Sequence, residues 1–407
     1  MIFDEAPEAL KWRDAADVYK AGQKAALLHR HDDHVEFAYL PTYLETGGAP
    51  VATTLPLGVN PLKSRNPGAV PAFFAGLLPE GRRLGALHRQ LKTSADDEFT
   101  LLLAVGGDTI GDVQILPPGI SPELASPSPR VQDLANCDFA ELFHKALGAD
   151  FERVALPGVQ DKVSARMMTL PVGQNDGEFI LKLNPPEFPH LVENEFFFLE
   201  AAKRSGIESA EATLVYDRHK RAGLLVRRFD RYRNQTGFSQ RAQEDGCQVM
   251  GIYPADKYRV SSEELFLALS RNCRATPVAA LALLRQLAFA YISCNGDAHA
   301  KNFSILHIGG EWRVAPMYDV PSSHPYGDTT MALSIAGRDK EDIGRKDFLA
   351  LAAELSLPVR AVTKSLDQLI EKCRAWSTKL TELPFSPRQN HKLQRSVEYR
   401  LARLAGR

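Results

Sequence analysis

The chain has 407 residues, of which 44% are hydrophobic and 24% are charged, and its formal net charge at pH 7 is −1. This composition is typical of a globular protein with two or three domains. The near-zero charge excludes a global field that would attract nucleic acid, so any DNA contact would need a local basic patch or a partner that supplies one.

The five cysteines are far apart in the chain, and none has the spacing of a zinc site or a redox motif. This favours a reduced protein in the cytoplasm. The first 20 residues are acidic and amphipathic, whereas a signal peptide begins with a basic end followed by an apolar run. No stretch approaches the roughly 18 apolar residues of a membrane span.

The first predicted unit covers residues 1–125. Short alternating runs between residues 15 and 60, such as 35–40, predict a small antiparallel sheet. Helical periodicity follows at 72–78, 82–91 and 97–103. The Pro-rich stretch 117–130 has few side chains that can build a core, and it predicts a linker that closes this unit.

The second predicted unit is a sheet lobe over residues 126–230. Strand-like alternation occurs at 163–170, 178–183 and 224–229, with a helix predicted over 194–205. In the third unit, residues 231–407, helical periodicity dominates at 263–270, 277–293, 346–353 and 362–378. A sheet lobe followed by a helical lobe is the architecture of a two-lobed protein kinase, so the predicted fold class is α+β with an all-helical C-terminal lobe.

An acidic motif in the third unit carries the chemistry. Asp297, Asn302 and Asp319 follow one another with the spacing of the catalytic aspartate and the metal-binding asparagine and aspartate of protein kinases. Phosphoryl transfer needs a group that orients the attacking hydroxyl, which suits Asp297, and hard oxygen ligands for magnesium, which suits the other two. Two apolar runs, 303–306 and 312–315, predict a hairpin that fixes the distance between the two metal ligands. Taken singly, each acidic residue fits a turn or a helix cap equally well, and only the combined spacing favours a kinase.

Lys182 lies inside the predicted strand 178–183, where a kinase lysine contacts the nucleotide phosphates. The alternative is an outward-facing lysine on a half-exposed strand. Glu195, near the start of the predicted helix, either pairs with Lys182 or stabilises the helix N-terminus as a negative charge.

The loop before the first strand of the sheet lobe predicts a phosphate contact, because Gly158 lets backbone N–H groups approach phosphate oxygens. Its other members are Val159, Gln160 and Lys162. A plain turn is the alternative for this loop.

Two further residues are candidates for the nucleotide site. His299 either contacts phosphate or is a structural histidine hydrogen-bonded within its loop. Asp230 follows a hydrophobic strand at the predicted junction of the lobes, and we expect it to contact the ribose or a metal ion. The basic segment around it, 227–233, fits a solvated surface run by default.

These motifs occur in an order that resembles the HipA serine/threonine kinases, the toxins of bacterial toxin–antitoxin pairs. The matching segments are 77–81, 105–111, 157–162, 181–183, 194–195, 228–231, 243–245, 296–302 and 318–319. The resemblance implies a HipA-like fold with an N-terminal subdomain on a kinase core, and ATP and Mg²⁺ as cofactors. It also implies a HipB-like helix-turn-helix antitoxin as partner, contact with DNA only through that antitoxin, and a protein substrate such as an aminoacyl-tRNA synthetase, whose phosphorylation arrests growth.

By matching position, the resemblance implies that Asp297 is the catalytic aspartate and that Asn302 and Asp319 are the magnesium ligands. It implies that Lys182 and the loop 158–162 contact the phosphates, with His299 beside them. One position departs from the family.

Family members carry a serine, whose autophosphorylation inactivates the kinase, where this chain has Ala155. The chain therefore lacks that switch, or uses a nearby hydroxyl such as Ser164, or is an engineered variant. We expect no phosphate at position 155, because a methyl side chain has no hydroxyl to accept one.

Two other functions remain open at this point. A small-molecule kinase of the aminoglycoside or choline type uses a similar acidic pattern, although it does not need the N-terminal unit. A catalytically silent co-repressor bound to an antitoxin is disfavoured, because the lysine and all three acidic-motif residues are present.

Overall fold

The computed structural model describes residues 7–64, 68–122, 131, 133–147, 167–174, 177–234, 237–340 and 342–406. The N-terminal unit is built on an antiparallel sheet with the strand order β4-β3-β2-β1-β5. Its strands are β1 (Ala15–Lys20), β2 (Gln23–Arg30), β3 (Val35–Tyr39), β4 (Leu62–Lys63) and β5 (Val113–Leu116). The alternating pattern of β3 buries Val35, Phe37 and Tyr39 against the helices of this unit, which confirms the predicted antiparallel sheet.

The helices of the N-terminal unit are α1 (Pro41–Glu45), α2 (Ala72–Ala75), α3 (Gly81–Leu91) and α4 (Glu98–Val105). Phe74 of α2 packs against Phe37 of the sheet with ring centroids 5.5 Å apart. The side chain of Asp97 accepts a hydrogen bond from the backbone N–H of Thr100 and so caps the start of α4. All three helices predicted in this unit are confirmed, and α2 is shorter than its sequence pattern.

The sheet lobe has four antiparallel strands in the order β6-β7-β9-β8. Its elements are α5 (Phe139–Leu147), β6 (Met168–Gln174), β7 (Gly177–Leu183), α6 (Leu191–Arg204), β8 (Ala212–Tyr216) and β9 (Ala222–Arg227). The strands predicted at 178–183 and 224–229 and the helix at 194–205 are confirmed. The strand predicted at 163–170 is confirmed for residues 168–170, where β6 begins, and residues 163–166 lie outside the described part of the chain. The edge strand β8 has no buried stripe, and the sequence therefore did not reveal it.

The C-terminal lobe surrounds a buried helix, α9. Its elements are the hairpin β10 (Arg231–Asn234) and β11 (Gly237–Gln240), β12 (Gln243–Asp245), α7 (Gly246–Met250), α8 (Ser262–Asn272), α9 (Thr276–Ile292), β13 (Ser304–Ile308), β14 (Glu311–Val314), α10 (Arg345–Glu354), α11 (Val359–Ser377) and α12 (Pro387–Leu404). The four helices predicted here are confirmed. Among the described residues, no helix has the length and apolarity that crossing a membrane requires.

The α+β fold class is confirmed, with one correction to its detail: the C-terminal lobe is not entirely helical. The strands β12, β13 and β14 form a small antiparallel sheet. The hairpin predicted from residues 303–306 and 312–315 is present as β13 and β14, with Ile305 paired to Val314. This hairpin lies between the segments that carry Asn302 and Asp319, so it fixes their separation.

The N-terminal unit is joined to both lobes of the core by polar contacts. Arg82 forms an ion pair with Glu187 of the sheet lobe at 2.5 Å. On the other side, the hydroxyl of Thr53 donates to Glu244 of β12 at 2.6 Å. The N-terminal unit thus contacts the sheet lobe through α3 and the C-terminal lobe through β12.

Candidate active site

Lys182 lies at the centre of the site. It points from the central strand β7, is buried, and places its Nζ 2.7 Å from Oε1 of Glu195 and 3.2 Å from Oδ1 of Asp319. Glu195 lies on α6, which packs against the sheet, and is completely buried. From the sequence, Glu195 could either pair with Lys182 or stabilise the helix N-terminus. The structure shows the ion pair with Lys182.

The protonation of this cluster follows from burial and charge. Burial alone would lower the pKa of Lys182, but the carboxylates of Asp319 and Glu195 outweigh burial and raise the pKa above its ordinary value. Burial raises the pKa of Glu195, and the charge of Lys182 opposes that rise. Lys182 is therefore a fixed cation between two acidic side chains.

Asn302 and Asp319 lie next to each other, as the sequence predicted for two metal ligands. Nδ2 of Asn302 lies 3.3 Å from the backbone oxygen of Asp319 and 3.5 Å from its Oδ2. Asp319 adopts a left-handed backbone conformation with φ of 55°. Such backbone strain in a residue other than glycine is concentrated at functional sites.

Asp297 is buried in the turn that follows α9, and two side chains hold it. The hydroxyl of Tyr258 donates to Oδ1 of Asp297 at 2.7 Å. The backbone N–H of Asp297 donates to Oδ1 of Asn295 at 3.0 Å, and Nδ2 of Asn295 donates to the backbone oxygen of Asp319 at 3.3 Å. Asn295 thus links the catalytic candidate to a metal-ligand candidate.

The turn itself depends on two backbone positions. Cys294 adopts a positive φ of 56°, which ends α9 and reverses the chain. A Cβ at Gly296 would lie 2.8 Å from the backbone oxygen of Thr330. Only glycine therefore fits there without a shift of the backbone at Thr330.

His299 is buried beside Asp297. Its ring packs edge-on against the ring of Tyr258, with centroids 5.1 Å apart, and its backbone N–H donates to the backbone oxygen of Asp297 at 2.8 Å. His299 thus belongs to the same loop as Asp297, and its contact with phosphate stays a prediction.

The sequence did not reveal a set of ion pairs beside the loop that carries Asp297. Nζ of Lys301 lies 3.0 Å from Oδ2 of Asp245 and 3.8 Å from Oε1 of Glu80, and Lys257 pairs with Oε2 of the same glutamate. Burial opposes the charge on Lys301, but Asp245 and Glu80 outweigh burial and raise its pKa. Glu80 lies in segment 77–81, which resembles a family motif, and this resemblance was the only indication from the sequence that Glu80 has a role. Its partners are distant in sequence and could not be read from it.

Asp230 is not part of this cluster. Its Oδ2 accepts from Arg228 at 2.8 Å, from Arg231 at 2.7 Å and from the backbone N–H of Gly111 at 2.9 Å. Arg228 also pairs with Asp108 of the N-terminal unit at 2.7 Å. Burial would raise the pKa of Asp230, but the two arginines outweigh it and lower the pKa.

Asp230 therefore joins the N-terminal unit to the core, which corrects the expected ribose or metal contact. The same network corrects the expectation of a solvated basic run for Arg228 and Arg231, whose side chains are 3% and 6% exposed, whereas Arg233 is exposed as expected.

Five of the predicted site positions cannot be placed. Ala155, Gly158, Val159, Gln160 and Lys162 lie outside the described residues, as does the proposed substitute hydroxyl of Ser164. The boundary predicted between residues 125 and 126 lies outside them as well.

The donors at the centre of the site suit magnesium. Mg²⁺ takes one or two carboxylates and other hard oxygens, together with substrate phosphates. Asp319 supplies a carboxylate, and rotating the Asn302 amide would exchange Nδ2 for Oδ1 on the side facing Asp319. The pair then becomes two oxygen ligands beside a cation, Lys182, that can contact phosphate.

Comparison with known proteins places the chain in a family. The family described as HipA-like C-terminal domain matches residues 154–377, and the family described as HipA N-terminal domain matches residues 16–116. The protein Y4mE of Sinorhizobium fredii is 32% identical over 368 residues, which cover 84% of this chain and 86% of the relative. The serine/threonine-protein kinase toxin HipA of Shewanella oneidensis is 27% identical over 356 residues, covering 81% of this chain and 80% of that toxin.

A solved structure has the same fold. It is the complex of HipA, HipB and operator DNA from Shewanella oneidensis MR-1, and the match has a TM-score of 0.76 at 21% identity, covering 96% of this chain and 97% of the other. The matches to the family extend over both the N-terminal unit and the core. The chain therefore belongs to the HipA family.

Proposed function

We propose that this protein is an ATP- and Mg²⁺-dependent serine/threonine protein kinase that acts as the toxin of a toxin–antitoxin pair. The observation that carries the proposal is the contact of Lys182 with both Glu195 and Asp319. Protein kinases require both the strand lysine–helix glutamate ion pair and the metal-binding aspartate in place. In this chain one ammonium group joins them.

Each residue then has a role in the transfer. Bound ATP and Mg²⁺ would supply the phosphoryl group and neutralise the charge that develops on it. Lys182 holds the phosphates, and Asn302 and Asp319 hold the metal. Asp297 orients the acceptor hydroxyl and receives its proton, since a buried carboxylate within hydrogen-bonding reach of a hydroxyl is a general base. Tyr258 keeps that carboxylate in place.

The remaining predicted contacts complete the proposed site. Gly158, Val159, Gln160 and Lys162 form the loop on the phosphate side, and His299 lies beside the phosphates. With Ala155 in place of a serine, the kinase has no acceptor hydroxyl at that position.

The proposed partner is a HipB-like helix-turn-helix antitoxin, through which the toxin contacts DNA indirectly. Support comes from the Shewanella oneidensis structure, in which HipA, HipB and operator DNA form one complex. The net charge of −1 also favours recruitment by a partner over direct DNA binding. We propose a cytoplasmic translation protein, such as an aminoacyl-tRNA synthetase, as the substrate.

The contact of Glu80 with Lys257 and Lys301 favours this function over a small-molecule kinase, because it makes the N-terminal unit part of the support of the catalytic loop. The test is incubation with γ-labelled ATP, Mg²⁺ and a cell extract. We expect label in one or a few protein bands, identified by phosphopeptide mass spectrometry. Label confined to small molecules would show that the acceptor is not a protein.

The toxin role has its own test. Induced expression of the wild-type chain should arrest growth, and co-expression of the antitoxin gene should relieve the arrest. Lys182→Met keeps the length of the side chain and removes its charge, and we expect it to restore growth. Arrest that persists with Lys182→Met would show that the chain acts by binding alone.

A further inference from the structure

The turn between β2 and β3 in the N-terminal unit carries an unusual group of side chains. Its sequence from residue 29 to 36 contains three histidines and three acidic residues. The turn is closed by a hydrogen bond of 2.8 Å from the backbone N–H of His31 to the backbone oxygen of His34. This closure brings the two histidine rings together, with centroids 4.6 Å apart and an interplanar angle of 18°.

The orientation of the His34 ring is fixed by Asp33. Nδ1 of His34 lies 2.5 Å from Oδ1 of Asp33. A carboxylate only accepts hydrogen bonds, so Nδ1 carries the proton and the lone pair of the neutral ring is on Nε2. Histidines that bind metals are held in the same way, by a carboxylate that accepts from the other ring nitrogen.

The free nitrogen of His34 faces a potential ligand set. Nε2 is inaccessible to solvent and has no hydrogen-bond partner among the described residues. Oε2 of Glu36 lies 4.0 Å from it. One donor atom from each of His31, His34 and Glu36 lies within 4.8 Å of the other two. His31 is exposed, so its ring can turn towards the centre of the group.

We propose that His31, His34 and Glu36 bind a divalent cation of the zinc class, with Asp33 as the positioning residue. Two imidazoles and one carboxylate are a common set of three protein ligands for Zn²⁺ and leave a fourth position for water. Imidazole ligands select zinc, nickel or copper over magnesium and calcium, which prefer oxygen. The site is therefore chemically distinct from the pair Asn302 and Asp319.

The simpler role for Glu36 is an ion pair with Lys63, whose Nζ lies 3.9 Å from Oε2. That lysine side chain is 61% exposed. An exposed pair at this distance contributes little to stability, so a cation can displace the lysine at small cost. The pair also leaves Nε2 of His34 unexplained, whereas a metal ion satisfies it.

The test is calorimetric titration of the untagged, full-length, chelator-treated chain with zinc chloride. We expect one equivalent of tightly bound zinc, retained in excess Mg²⁺. His31→Ala and His34→Ala should weaken binding by at least roughly 10-fold, and Asp33→Asn by roughly 10- to 100-fold. Two control variants should bind as the wild type does: His391→Ala on α12, and Cys137→Ser, which removes the half-exposed thiol.

A second measurement separates loss of the site from loss of folding. Zinc should raise the melting temperature of the wild type, since a ligand that binds the native state stabilises it. His34→Ala should melt like the wild type without zinc and show no increase with it. The proposal is overturned if both histidine variants bind zinc like the wild type, if Cys137→Ser abolishes binding, or if Mg²⁺ displaces the zinc.

Discussion

The hydroxyl of Tyr258 donates a hydrogen bond of 2.7 Å to Oδ1 of Asp297. Burial, followed by the charge of Asp297, raises the pKa of Tyr258 well above its ordinary value. The tyrosine therefore stays protonated and remains a donor at every pH at which a kinase is assayed. It holds Oδ1 of the proposed catalytic carboxylate in place.

Tyr258→Phe removes this single hydrogen bond and keeps the ring that packs on His299. Hydrogen bonds to charged groups contribute about 1.5–3 kcal/mol, so kcat should fall by roughly 10- to 100-fold. The KM for ATP should change little, because the phenylalanine ring keeps the packing contact with His299, the neighbouring residue of the proposed nucleotide site. Steady-state kinetics with a protein acceptor measures both values.

The matched control is Tyr43→Phe in the N-terminal unit, which likewise loses one hydrogen bond, to the backbone oxygen of Ala49 at 2.7 Å. We expect its kcat to equal that of the wild type. An unchanged kcat in Tyr258→Phe would mean that the tyrosine does not position Asp297.

Glu80→Gln tests whether the N-terminal unit supports catalysis. Glu80 contacts Lys257 and Lys301, which precede Tyr258 and Asn302 directly in the chain. Loss of the charge should let both lysines shift, and small displacements of catalytic groups are costly, so kcat should fall roughly 10-fold. Kinetics and thermal melting together measure the effect.

Asp256→Asn is the control for this prediction. Asp256 directly precedes Lys257 in the chain, and its ion pair with Arg259 at 3.1 Å is largely exposed. Exposed pairs contribute little, so this variant should match the wild type. If both variants have wild-type kcat, the N-terminal unit does not act through Glu80.

Glu195 should give the protein a pH-dependent stability. Burial raises its pKa from 4.5 to about 7, although Lys182 opposes the rise. The native state thus binds this proton more tightly than the unfolded state. The contribution of Glu195 to the free energy of unfolding is full below pH 4.5 and is lost as pH rises through about 7.

The carboxamide of Glu195→Gln does not titrate in this range. Compared with the wild type, the variant should therefore gain stability as pH rises across that window. Urea unfolding at several pH values measures the difference. Parallel stability curves for the two proteins would contradict the assigned pKa.

The cysteines predict a pattern of chemical reactivity. Cys137 is half-exposed, whereas Cys247, Cys273, Cys294 and Cys373 are buried. Burial raises the pKa of Cys247 to about 12 and those of Cys273 and Cys373 to about 11. Since the thiolate is the reactive form, iodoacetamide at neutral pH should modify Cys137 alone, as peptide mass spectrometry can show. Rapid modification of the buried four in the native protein would contradict the packing of the core.

The sequence predicted those parts of the site whose residues lie within one strand, one helix or one short segment of the chain. Lys182 lies in a recognisable strand and Glu195 in a recognisable helix, and Asp297 and Asn302 lie in one short segment. The structure brings these side chains together with Asp319, while their chemical roles stay predictions. The secondary structure was predictable for the same reason, because buried stripes repeat at the period of a helix or a strand.

Contacts between distant segments could not be predicted in this way. The partners of Glu80, Lys257 and Lys301, are more than a hundred residues away in the chain, as are the arginines that pair with Asp108. Asp230 was expected to contact the ribose or a metal ion because it follows a hydrophobic strand at the predicted junction of the lobes. In the fold its carboxylate pairs with Arg228 and Arg231. A long helix, α12, was also missed, although Leu393, Val397 and Leu401 form a buried stripe, because its other positions are mostly polar.

In the proposed mechanism, Asp297 promotes transfer of a phosphoryl group to a protein hydroxyl. The most direct test measures single-turnover transfer from γ-labelled ATP with Mg²⁺ by the wild type and by Asp297→Asn. Equal melting temperatures of the two proteins show that the variant is folded. A general base contributes roughly 100- to 10,000-fold, so we predict a loss of that size in the variant. Transfer by Asp297→Asn at the wild-type rate would contradict the account.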